Sequence, residues 1–121
     1  MLGIIPTNVH GIIDYITGVT LVAAPFLFGF ADGTAAQWVP IIIGLAILGQ
    51  SLITQYELSI AKIIPMPTHL MLDAGTGLVL AASPWLFGFA DRVYLPHLLV
   101  GVMELAVVLL SVSRSTRTRT A

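Results

Sequence analysis

The chain is 121 residues long, 57% hydrophobic and 9% charged, with five basic and six acidic side chains and a formal net charge of −1. A soluble domain usually carries about 25% charged residues, so this composition cannot cover a water-facing surface and makes the bilayer the natural solvent. The near-neutral balance offers nucleic acid nothing to bind, and the absence of cysteine excludes disulfides, thiolate metal sites and cysteine catalysis.

The N-terminal MLGIIPTNVHG has no basic n-region and is expected to stay on the mature protein. A membrane-crossing helix needs about 20 mostly apolar residues. Four segments meet that requirement: 9–30, 35–54, 68–89 and 95–112. ADGTAA separates the first two, QYELSIAKIIPMP the second and third, and ADRVY the last two; these breaks hold the turn residues and most of the charges outside the tail. Glycines lie inside the spans at Gly11, Gly18, Gly44, Gly49, Gly75, Gly77 and Gly101. In lipid, small residues let helix backbones approach closely, so this spread predicts a tight bundle.

The chain repeats itself. When residues 4–32 are laid on 63–91, 16 of 29 positions are identical. Ile4-Ile5-Pro6 falls on Ile63-Ile64-Pro65, His10 on His69, Asp14 on Asp73, Thr17-Gly18 on Thr76-Gly77, and LFGFAD on LFGFAD. The second helices align two residues out of step, with Gly44 on Gly101 and Pro40 on His97. Each repeat is therefore one helical hairpin: repeat one spans 4–55 and repeat two 63–112, within a single transmembrane domain, 1–113. Two spans per repeat put both hairpins in the same orientation, related by a pseudo-two-fold along the membrane normal. The predicted fold is all-α: a four-helix transmembrane bundle of two parallel hairpin repeats.

Orientation follows from the basic residues. Arg114, Arg117 and Arg119 in the tail and Lys62 in the central loop share one side of a four-span chain, and only Arg92 lies opposite. Both termini and the central loop are expected in the cytoplasm of a multi-pass cell (inner) membrane protein, with residues 114–121 a disordered basic tail. Tyr56, Glu57 and Lys62 read as interfacial anchors. Pro25 and Pro84 sit late in the first and third helices and should free the carbonyls of Leu21 and Leu80. A kink is expected at each, tolerated in lipid only if nearby groups re-satisfy the backbone. Ser83 can do this in repeat two, whereas Ala24 cannot in repeat one. Trp85 and the neighbouring phenylalanines fall where an aromatic belt belongs.

The doubled hairpin, with Ser83-Pro84-Trp85 in the first helix of its second repeat, resembles the SPW-repeat family of small bacterial and archaeal membrane proteins. The resemblance runs from Ile4 to about Ser111. Repeat one departs from it at Ala24-Pro25-Phe26 and is recognised through LFGFAD and the His/Asp spacing. The resemblance implies a repeat of two membrane helices and no activity.

Ionisable residues inside spans are costly and are candidate functional groups. His10 with Asp14, and His69 with Asp73, each share a helical face by their i, i+4 spacing. The pseudo-symmetry sets the pairs at equal depth, where all four can meet at the bundle axis. Three readings compete. In the first, the four hydrogen-bond within and between hairpins and lock them together, with central-loop carbonyls or water as further partners of His10 and His69. The second is a proton or ion path. The third is a tetrahedral zinc site, for which i, i+4 spacing is a weak signal. Glu104 is asymmetric, since its repeat partner is Ile47, and Gln50 at similar depth is its candidate partner. It reads as an inward-facing, protonated or hydrogen-bonded carboxyl, or alternatively as a proton-titrating one. No nucleophile–base pair or phosphate loop is visible, so the enzyme reading is weakest. No cofactor and no metal are expected. The leading function is a non-enzymatic structural or interaction protein of the membrane. Its partners would be the bilayer and either a second copy or another membrane subunit. The runner-up is a small transporter or proton conductor using the His/Asp cluster.

Overall fold

A computed structural model describes residues 2–111. The tail placed at 114–121 lies outside the described residues. Four helices follow in order: α1 (Thr7–Leu27), α2 (Ala35–Leu52), α3 (Met66–Leu86) and α4 (Leu95–Leu110). The fold is an all-α four-helix bundle. Along their lengths α1 packs on α2 and α3 on α4, and the two pairs meet chiefly through α2 and α3. By length and apolarity α1 and α2 can cross a membrane; α4 is apolar but has 16 residues. Large apolar side chains such as Ile16, Val19, Ile42, Leu78 and Leu99 face outward from all four helices.

Helices α1 and α3 end earlier than the apolar runs suggest, at Leu27 and Leu86 instead of Phe30 and Phe89. The LFGFAD phrase causes this. Gly29 and Gly88 take φ of 76° and 74°, left-handed values at which glycine, lacking a Cβ, costs least. The amide of Phe30 then bonds the Pro25 carbonyl at 2.9 Å, and that of Phe89 the Pro84 carbonyl at 2.7 Å. This is a Schellman closure, which satisfies carbonyls that a helix end leaves open. The residue after each glycine turns inward, so Phe30 and Phe89 are buried. Both helices run unbroken through their prolines. The Ser83 hydroxyl donates to the Leu80 carbonyl at 2.7 Å, the acceptor that Pro84 leaves without its usual amide donor. Trp85 is 56% exposed and packs against Tyr94, with ring centroids 5.9 Å apart.

The doubled Ile-Ile-Pro has its own task. Ahead of α1, the amides of Ile4 and Ile5 both donate to the Leu110 carbonyl at 2.7 Å. Ahead of α3, those of Ile63 and Ile64 donate to the Ile53 carbonyl at 2.8 and 2.7 Å. Each extended segment thus clips the C-terminal end of a second-position helix, α4 in one case and α2 in the other. Each clip also forms one isolated parallel bridge, Ile5 with Ser111 and Ile64 with Thr54. At the opposite end of the bundle, Arg92 reaches Asp32 at 2.6 Å and the Thr34 hydroxyl at 3.3 Å, joining the two interhelical turns.

The glycines divide into two groups. A Cβ on Gly44 would sit 2.7 Å from the Gly18 carbonyl oxygen; one on Gly101 would sit 2.5 Å from the Ala81 nitrogen and 2.6 Å from the Gly77 oxygen. Gly49 and Gly75 face open space and a Cβ on Gly11 would meet the Leu58 side chain of the central loop at 3.1 Å, so the close backbone approaches among these glycines lie at the two helix crossings. Gly101→Ala is expected to lower stability by about 1–3 kcal/mol, because a backbone contact cannot yield as a side chain can. Gly75→Ala should instead be neutral or raise it by up to ~1 kcal/mol. Thermal unfolding of the two variants in detergent measures the contrast.

Asp32 allows a second test. Hydrogen bonds from the Thr34 side chain and amide, aided by the Arg92 guanidinium, hold its carboxyl below the ordinary value of 3.8. A depressed carboxylate stabilises the fold above its unfolded-state pKa, and the benefit is lost as pH falls through the folded value. The melting temperature of the native chain should therefore exceed that of Asp32→Asn at pH 7, and the two should converge as pH drops below 3.8. The effect is small, as for other exposed pairs.

Candidate polar site at the bundle axis

Helix α1 carries His10 and Asp14 one turn apart, α3 carries His69 and Asp73 likewise, and the bundle turns both faces inward. All four residues are buried, both histidines completely. The structure brings the four together in an alternating ring. His10 Nε2 lies 3.0 Å from Asp73 Oδ2 and 3.2 Å from Asp14 Oδ2. His69 Nε2 lies 2.8 Å from Asp14 Oδ2 and 3.1 Å from Asp73 Oδ2. The shorter contact of each histidine is the one to the other repeat. The imidazoles meet edge to face, centroids 5.3 Å apart.

The outer ring nitrogens are held by the helix ends. His10 Nδ1 is 2.6 Å from Ser111 Oγ, and His69 Nδ1 is 2.6 Å from Thr54 Oγ1. Each hydroxyl already donates its hydrogen one turn back, Ser111 to the Val107 carbonyl at 2.5 Å and Thr54 to the Gln50 carbonyl at 2.6 Å. A hydroxyl has one proton to give, so both oxygens accept and both Nδ1 atoms donate. Each Nδ1 therefore carries a hydrogen in either charge state, and Nε2, directed at the carboxylates, donates to them when the imidazole is protonated and faces them with a lone pair when it is neutral. These hydroxyls take the place of the loop carbonyls or water expected as further histidine partners. Neither was singled out from sequence, although the two-residue slip that sets Gly44 on Gly101 also sets Thr54 on Ser111.

Two further groups close the site. Gln50 Nε2 donates to Asp73 Oδ1 at 2.5 Å, so its partner is Asp73 and not Glu104. Tyr56 is fully buried, and its hydroxyl donates to Asp14 Oδ2 at 3.3 Å. Its ring lies 5.4 Å from that of His69. This corrects the anchor reading of Tyr56: the central loop folds it inward as a lid over the ring. Burial, reinforced by the Asp14 carboxylate, pushes its phenol well above the ordinary tyrosine range, so it remains a donor. Glu57 Oε1 accepts from Thr7 Oγ1 at 2.7 Å, and Lys62 Nζ donates to the Tyr56 carbonyl at 2.9 Å, fastening the loop.

Glu104 is buried beside Gly77 and accepts from Thr76 Oγ1 at 3.1 Å. An apolar layer of Leu21, Ile43, Ile47 and Leu80 follows toward the other end. Beyond it, His97 packs between Phe30 and Phe89, centroids 5.2 and 4.8 Å away, and its Nε2 donates to the Ala36 carbonyl at 2.8 Å. His97 stands where repeat one has Pro40, so the repeat gave no signal for this role. A cavity of about 340 Å³ opens beside it, lined by apolar side chains including Leu21, Phe28 and Leu99.

The ring predicts strong coupling between the repeats. His10→Leu and Asp73→Leu should each destabilise the bundle, and the double replacement should cost less than their sum by about 0.5–3 kcal/mol. The same should hold for His69 with Asp14. Additive effects in a double-mutant cycle would show that the contacts carry no shared energy.

The SPW repeat domain, as a family model, matches residues 8–111. Comparison with curated proteins and with solved structures finds no match.

Proposed function

The chain belongs to the SPW-repeat family, and on that premise we propose that it is a non-enzymatic structural or interaction protein of the cell membrane, whose two hairpins are locked by a buried histidine–aspartate ring. Family membership and the apolar helices are consistent with a membrane protein. The observation that carries the reading is the reciprocity of the ring: His10 makes its closest contact with Asp73, and His69 with Asp14, across the repeat boundary. Four polar residues are spent on joining two halves whose apolar packing on each other is limited. Their partners are one another, the helix-end hydroxyls, Gln50 and Tyr56, and a polar network in an apolar interior needs such partners.

Transport is the competing reading, and conduction needs a polar lining that continues past the ring. Glu104 and Thr76 extend it by one step, and then Leu21, Ile43, Ile47 and Leu80 fill the axis. That layer favours the lock. In this reading all four helices cross the bilayer, both hairpins enter in the same direction, and the loop carrying Lys62 faces the cytoplasm. The exposed apolar faces meet lipid, a second copy or another membrane subunit.

Labelling with an impermeant thiol reagent in intact cells tests the arrangement. Ala31→Cys, in the first interhelical turn, should label, and Ile60→Cys, in the central loop, should not. The reverse pattern overturns the orientation. Proton flux into liposomes separates the two functions: the native chain should pass no more than empty vesicles, and a pH-dependent flux lost in Asp14→Asn would replace the lock with conduction.

A further inference from the structure

The lock has a geometry that its side chains do not explain alone. Each Nε2 faces two carboxylate oxygens at nearly the same distance, 3.0 and 3.2 Å for His10, 2.8 and 3.1 Å for His69. A single N–H points along one line and serves one oxygen well. Four atoms converging almost equally describe the corners around a common centre. One ligand atom from each of the four residues lies within 4.8 Å of all the others.

We propose that the ring is a metal centre, with Nε2 of His10 and His69 and Oδ2 of Asp14 and Asp73 binding one divalent transition-metal ion, for which zinc is the best fit. The proposal deepens the lock reading and rests on it: the ion would be what the two hairpins share. Zinc bonds imidazole nitrogen and carboxylate oxygen at about 2.0–2.2 Å, which sets neighbouring ligands of a tetrahedron roughly 3.3 Å apart. The four nitrogen–oxygen edges need to open by a few tenths of an ångström, and the two remaining pairs, which lie within 4.8 Å, need to settle to the same spacing. Two carboxylates neutralise a dication, so the occupied site carries no net charge into an apolar interior. Imidazole with carboxylate, without thiolate, suits zinc or another first-row dication better than a soft monovalent ion.

The surrounding bonds are those of a prepared site. Metal-bound imidazoles almost always donate their other N–H to an oxygen that orients the ring. Here the oxygens are Ser111 Oγ and Thr54 Oγ1, and the commitment of their own hydrogens forces each Nε2 to offer its lone pair when the ring is neutral. Gln50 holds Asp73 by its other oxygen, leaving Oδ2 directed at the centre. Four protein ligands and burial beneath Tyr56 leave no open position, the pattern of structural zinc sites and not of catalytic ones.

The full chain, purified in detergent and stripped with a chelator, is titrated with zinc alone against a competing chromophoric chelator. About one zinc should bind per chain, raise the melting temperature, and bind neither to His69→Leu nor to Asp73→Leu. Thr54→Val keeps all four ligands and serves as the variant that folds: it should still bind about one zinc at saturation, with affinity reduced 10–100-fold. X-ray absorption of the loaded chain should show only nitrogen and oxygen neighbours. Absence of saturable uptake in the folded chain overturns the proposal, as does equal uptake by the native chain and His69→Leu. The lock reading then stands or falls by the mutant cycle. Zinc that binds as described without moving the melting temperature would bind folded and unfolded chain alike, which overturns the proposal that the ion is what the two hairpins share.

Discussion

Everything in this bundle depends on finding partners for polar groups where water is scarce. In the bundle interior an unpaired carboxylate, amide or carbonyl has no water to turn to, so partners come from within the chain; among the buried side-chain polar atoms of the described residues, only Ser51 Oγ and His97 Nδ1 lack one. The histidine–aspartate ring is the most concentrated instance. No residue in it is satisfied by its own helix alone: each imidazole uses a carboxylate from the other repeat and a hydroxyl from the other repeat's second helix. The ring cannot form in one hairpin, which makes it a device for recognising that both halves are present and in register.

The same demand shapes the helix ends. The Phe-Gly-Phe turns close α1 and α3 by folding the chain back on their last carbonyls, and the inward phenylalanines then cover His97. The Ile-Ile-Pro segments close α2 and α4 from outside, with amides contributed by a neighbouring stretch of chain. Ser83 answers the acceptor that Pro84 exposes. The repeated phrases of the sequence are the places where backbone is closed, which is why they recur as intact phrases while the helix faces between them vary.

That division also explains what was legible beforehand. Helical periodicity and the repeat locate four helices and the two His/Asp pairs, because these depend on spacing along one helix or on identity between repeats. Thr54, Ser111 and Tyr56 were not singled out as site residues. A threonine or serine at a helix end reads as ordinary termination, and a tyrosine in a loop reads as an interfacial anchor until the loop is seen to fold inward. Similar depth in the sequence suggests Glu104 as the partner of Gln50, and depth does not say which way an amide turns. Burial of Phe30 and Phe89 was hidden for a related reason: the left-handed glycine before each reverses the direction that a helical reading assigns to it.

The reciprocal clips have an evolutionary consequence. Ile5 lies against Ser111 as Ile64 lies against Thr54, so the segment ahead of α1 meets the end of α4 as the segment ahead of α3 meets the end of α2. A polypeptide of one hairpin alone would hold half a ring and one unanswered clip, and two identical copies could complete both about a true two-fold axis. Fusion of two such copies replaces a concentration-dependent encounter with an intramolecular one. It also releases the halves from identity, so that Glu104 can stand where the first half keeps Ile47, Trp85 where it keeps Phe26, and His97 where it keeps Pro40. The ring residues and the turns are what the two halves still share.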